Sequence, residues 1–140
     1  MADSYTENMA RFARISEEVA KMREAQKAHA ARQVENRLAA FAPVRHAWDD
    51  LRAGDVRIAV YSNDAEGFVG EGLSAAYPTS ASFKFPDEDG ETQTITYGAN
   101  EQGHLWRNDK GSGYKFARDA DELINWMYHD IAEHQFVAAQ

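Results

Sequence analysis

The first 53 residues of this 140-residue chain contain no glycine, and all 9 glycines fall from Gly54 onward. Proline follows the same bias, with Pro43 alone in the first part and Pro78 and Pro86 in the second. Because Gly and Pro punctuate turns and strand ends, this asymmetry divides the chain into a helical N-terminal segment, residues 1–54, and a strand-and-turn body, residues 55–140. At 15.7 kDa the two parts together are expected to make one compact domain.

Ser4 and Glu7 form the S-x-x-E spacing of a capping box, which predicts a helix starting near Tyr5. Ala-, Glu-, Lys- and Arg-rich stretches carry it to Ala42. Pro43 then suits the first turn of a short second helix, PVRHAWDDLRA, with Gly54 as its stop. The apolar stripe of the first helix runs Met9, Phe12, Ile15, Val19, Met22, lapses, and resumes at Val34, Leu38 and Phe41. The 12 residues from Met22 to Val34 advance the helix by about 120° beyond whole turns, so the two stripes face different ways. An unbroken helix over these residues is about 57 Å long, against a radius of gyration of about 12 Å for a body of the remaining size. The first stripe, Phe12, Ile15, Val19 and Met22, is therefore expected to fold back on the body, to pair with a second copy or to dock on a partner.

Beyond Gly54 the apolar period changes to two. DVRIAVYS alternates Val56, Ile58 and Val60 against Arg57, Ala59 and Tyr61. GFVGEG has room for a short strand. SASFKF and TQTITYGA place Ala81, Phe83, Phe85 and Ile95, Tyr97, Ala99 on single faces, joined by the turn signal Asp89-Gly90 in PDEDGE. GHLWRN and GYKFAR make a second hairpin. A last helix begins at Asp119 and presents Leu123, Met127 and Ile131 to the sheet. The expected fold class is α+β: a long N-terminal helix, a short second helix, a mainly antiparallel sheet of four to six strands, and a C-terminal helix packed on one sheet face.

With no cysteine there is no disulfide, no thiolate metal site and no thiol nucleophile, which suits a cytoplasmic location. The acidic start MADSYTENMA lacks a signal peptide's basic and apolar regions, and no apolar run approaches membrane-spanning length. Candidate chemistry is sparse. His129 with Glu133, and Asp130 with His134, share helical faces as metal ligands do, but the pairs are offset by about 100° and do not converge. Asp87-Glu88-Asp89-Gly90 opens like a calcium loop without its closing Glu. Lys110-Gly111-Ser112-Gly113 lacks the helix that a phosphate loop needs. Ser112, His104 and Asp109 sit on one hairpin, without a nucleophile elbow. No cofactor, metal or catalytic residue is assigned. Phe83, Phe85, Tyr97, Trp106, Tyr114 and Phe116 are read chiefly as core, since base-stacking platforms come with basic side chains.

Charge is distributed more tellingly. Residues 55–140 carry 6 Lys and Arg against 15 Asp and Glu, whereas residues 1–54 carry 9 against 8. The sequence therefore predicts a non-enzymatic protein-binding module. Its protein-binding residues would be Asp87, Glu88, Asp89 and Glu91 on an acidic face, and Phe12, Ile15, Val19 and Met22 on a homodimerising helix. The partner would be a protein with a basic surface, in the manner of phage or mobile-element inhibitors of nucleic-acid-handling machinery. The alternatives are a nucleic-acid-linked regulator using Arg11, Arg14, Lys21, Arg23, Lys27, Arg32 and Arg37, diluted by Glu17, Glu18, Glu24 and Glu35, and a small enzyme of unrecognised class.

Overall fold

The computed structural model describes residues 2–62 and 67–137. Eight elements follow in chain order: helix α1 (Ala2–Ala53), strands β1 (Arg57–Tyr61), β2 (Phe68–Gly72), β3 (Ser80–Pro86), β4 (Thr92–Ala99), β5 (Leu105–Asp109) and β6 (Gly113–Phe116), and helix α2 (Ala120–Glu133). The fold is α+β, with six strands in two antiparallel sheets, β1-β2 and β3-β4-β5-β6. The chain divides into two compact units, Met1–Glu35 and Asn36–Gln140.

The expected second helix is not a separate element, because α1 continues through Pro43. Phe41, Val44, Ala47 and Trp48 are buried at helical spacing on both sides of the proline, so one continuous apolar face crosses it. Pro43 and Ala39, whose carbonyl loses its amide partner, both lie on the exposed side, where water can satisfy that carbonyl. The helix also begins ahead of Ser4, which falls inside its first turn rather than at the cap.

Its other end is a Schellman closure. The Asp55 amide donates to Arg52 O at 3.1 Å and the Val56 amide to Leu51 O at 3.1 Å, with Asp55 itself in the left-handed region at φ 56°. The sequence places that stop on Gly54. An aspartate one residue later takes it instead, as short polar side chains tolerate this conformation.

In the second unit, the core gathers Phe41, Val44 and Trp48 of α1, Ile58 of β1, Phe83 of β3, Ile95 and Tyr97 of β4, and Leu123, Met127 and Ile131 of α2. Trp48 meets Phe83 and Tyr97 with centroids 6.5 Å away in each case, and its indole N–H donates to Ser74 O at 2.8 Å. Asp119 caps α2 by accepting from the Glu122 amide, and Glu122 reaches back to the Arg118 amide and guanidinium. Past α2, the Phe136 amide donates to Arg57 O and the Ala59 amide to His134 O, which ties the chain to β1.

Register divides the four-stranded sheet into two unlike faces. Tyr97, Arg107 and Lys115 are successive cross-strand partners on the face that α2 covers. Gly98, Trp106 and Phe116 form the next row, on the opposite face. A Cβ at position 98 would come within 2.4 Å of the Trp106 ring, so the glycine is what lets that indole lie flat against β4.

Pro43→Ala restores the missing amide in a continuous helix and is expected to raise stability by about 1–3 kcal/mol in urea unfolding. A neutral or destabilising result would place the proline at the start of a separate helix, as the sequence suggests.

Candidate functional site

The expected docking residues on α1 lie in the first unit, where every residue from 3 to 32 is exposed. Tyr5, Met9, Phe12, Ile15, Val19 and Met22 succeed one another at intervals of three and four residues and share one helical face. Tyr5 is 72% exposed, Phe12 64% and Met22 62%. Isolated exposed apolar side chains are ordinary, but six in a row along one face are not.

The acidic residues Asp87, Glu88, Asp89 and Glu91 form the β3–β4 turn, in the second unit. They are not equivalent. Asp87 Oδ1 accepts from the amides of Asp89 and Glu91, each at 2.9 Å, and Oδ2 accepts from the Gln93 amide group at 2.8 Å. The backbone closes the same turn through the Asp87 amide to Glu91 O, with Gly90 at φ 82°. The Gln93 bond, aided by backbone amides, holds the Asp87 carboxyl below its ordinary value of 3.8. Asp87 is thus an internal strut of the turn, and Glu88, Asp89 and Glu91 are the acids that face water.

A third cluster is one that the sequence patterns do not single out. Asp130, on the buried face of α2, accepts from the Tyr97 hydroxyl at 2.7 Å and from Arg107 Nε and Nη2 at 2.7 and 3.0 Å. Burial, reinforced by the carboxylate beside it, pushes the Tyr97 hydroxyl far above an ordinary phenol, so it stays protonated. The bonds to Asp130 likewise raise the Arg107 pKa. Both carboxylate oxygens are engaged, and the cluster acts as a clamp between α2, β4 and β5. The clue was present in the sequence: Asp130 follows Leu123 and Met127 by seven and three residues, on the stripe assigned to the core.

The weaker candidates resolve into local structure. Asp130 points to Arg107 while His134 stacks on Phe85 at 3.7 Å, so the pair does not act together. His129 instead meets Glu133 at 3.0 Å. Asp109 accepts from the Gly111 amide and lies 3.6 Å from Arg107, which engages it within its own turn and strand. Among the described residues no three His, Asp or Glu side chains gather as a metal site, and no helix is long and apolar enough to cross a membrane. A cleft of about 520 Å³ lined by Arg45, Asp49, Arg52 and Asp55 mixes both signs of charge. Comparison with protein-family models, curated proteins and solved structures finds no match.

Two expectations follow from these contacts. Asp130→Ala leaves Arg107 with only the looser contact to Asp109 at 3.6 Å and should cost about 2 kcal/mol in urea unfolding, with Tyr97→Phe costing about 1 kcal/mol. For Asp87, whose folded pKa is lowered, the stabilisation is complete above the ordinary value and disappears as pH falls through the lowered one. The protection of the Asp89 and Glu91 amides, measured against the intrinsic exchange rate at each pH, should therefore fall as pH drops below the ordinary value through the lowered one, and Asp87→Ala, which removes their acceptor, should abolish it at neutral pH while Glu88→Gln does not.

Proposed function

We propose that this protein is a non-enzymatic protein-binding module in which the N-terminal helix supplies association and the acidic turn supplies selectivity for a basic protein surface. The observation that carries the reading is the exposed stripe from Tyr5 to Met22. Its spacing supports a second copy as the occupant. Phe12, Ile15, Val19 and Met22 fall at alternating a and d positions of a heptad, and Tyr5 repeats the a position one heptad earlier. In a parallel pair the flanking g and e positions bring Glu18 of one helix toward Arg23 of the other, a complementary contact. The seam is short, so the dimer it forms is concentration-dependent.

The body, with its 15 acids against 6 basic residues, supports the second half of the proposal. Such a field speeds encounter with a cationic partner, and a surface that otherwise holds nucleic acid is the class it competes for best. Glu88, Asp89 and Glu91 are the steering acids, while Asp87 maintains the turn that displays them.

Light scattering across a concentration series tests the helix. The full chain should rise toward the mass of two copies, and Phe12→Ser with Val19→Ser should hold it at one copy with the melting of the Asn36–Gln140 unit unchanged. A single-copy mass for both proteins at every concentration removes the dimer. For the turn, Glu88→Gln, Asp89→Asn and Glu91→Gln together should slow association with the basic protein that co-purifies from the host and flatten its salt dependence. Equal rates and slopes would reduce the turn's charge to a solubility feature.

A further inference from the structure

Strand β6, Gly113–Phe116, is the outer strand of the four-stranded sheet, and all four of its residues are exposed. Antiparallel pairing decides which backbone groups remain free. The Ala117 amide donates to Leu105 O, so by strict alternation Lys115 pairs by hydrogen bonds with Arg107, and Tyr114 and Phe116 turn their N–H and C=O groups away from β5. Among the described residues the N–H and C=O groups of Tyr114 and Phe116 thus stand unpaired along the outer edge, which is the template an added strand requires.

The side chains on this edge carry further information. Tyr114 and Phe116 stand on the open sheet face, 66% and 58% exposed, with Trp106 beside them at 5.3 Å from the Tyr114 ring. Lys115, between them, stands on the other face with its ammonium 4.4 Å from the centre of the Trp126 ring. Of the six Lys and Arg in residues 55–140, four lie in the stretch 107–118. Arg107 is neutralised by Asp130, and Arg118 is paired with Glu122. Among the described residues no carboxylate lies within ion-pair distance of Lys110 or Lys115.

From this placement we infer that β6 is a docking edge for an extended, acidic segment of a partner protein, which adds as a fifth strand and sets apolar residues beside Tyr114 and Phe116 and a carboxylate beside Lys115. Period-two alternation makes this a requirement on the partner's sequence: apolar, acidic, apolar. A second copy does not meet it. Antiparallel pairing of β6 with itself puts Lys115 opposite or diagonal to Lys115, and like charges across a ladder repel. This surface is independent of the stripe on α1, and its selectivity is opposite in sign to that of the acidic turn.

The full-length protein, labelled with nitrogen-15, is titrated with an end-blocked seven-residue peptide alternating valine and glutamate, and with a control in which lysine replaces glutamate. The glutamate peptide should slow amide exchange at Tyr114 and Phe116, whose N–H groups are free. Lys115, already bonded to β5, should change little. The lysine peptide should bind at least about fivefold more weakly, and Lys115→Glu should reverse that preference. Tyr114→Pro removes one outward N–H without touching the β5 ladder and should abolish protection at Phe116 with the sheet intact. Equal affinity for the two peptides, shifts confined to other parts of the protein, or an unchanged preference in Lys115→Glu would overturn the proposal. So would protection of Tyr114 and Phe116 that grows with protein concentration alone, which would assign the edge to a second copy.

Discussion

A carboxylate placed among Leu123, Met127 and Ile131 costs several kcal/mol unless it is paired and hydrogen-bonded. Asp130 is in that position, and its compensation requires Tyr97 and Arg107 on one face of the sheet, directly opposite each other on β4 and β5. A slip of one residue in either strand would turn one of them to the wrong face and leave the charge unmatched. The clamp therefore does more than join α2 to the sheet. It selects the register, and the register decides which side chains the sheet shows to water.

Those side chains are unlike in chemistry as well as position. The open face carries Ser82 and Thr96 on β3 and β4, and Trp106, Tyr114 and Phe116 on β5 and β6. Exposed acids gather at the β3–β4 turn, at Glu88, Asp89 and Glu91. Among the described residues Lys110 and Lys115, on the β5–β6 hairpin, have no carboxylate within ion-pair distance.

Much of the fold was written in local pattern. Alternation located Ala81, Phe83, Ile95, Tyr97 and Ala99 as buried, and the capping residues Asp119 and Glu122 marked the start of α2. The break expected at Pro43 failed because a proline on the wet side of a helix loses one bond, while the apolar face behind it remains continuous. Local rules weigh the first and cannot see the second. The aromatic residues were grouped as core because composition ignores parity. Trp106 and Arg107 are neighbours in a strand and must face opposite ways, so once Arg107 turns inward to Asp130 the indole is turned outward. The clamp itself joins positions 97, 107 and 130, a separation that periodicity within single elements does not reach.

The 3 tryptophans occupy three different environments, and this gives the chain built-in optical reporters. Trp48 is enclosed in the core with its N–H on a carbonyl, Trp126 lies beneath a lysine ammonium, and Trp106 rests on Gly98 beside Tyr114. Indole emission shifts with polarity and is sensitive to nearby charge. Unfolding is therefore dominated by Trp48, whereas events at the end of the sheet register through the other two. With Trp48 replaced by Phe, the remaining emission would come only from indoles at the β5–β6 end of the sheet, so that spectroscopy could follow that region in solution without an attached dye.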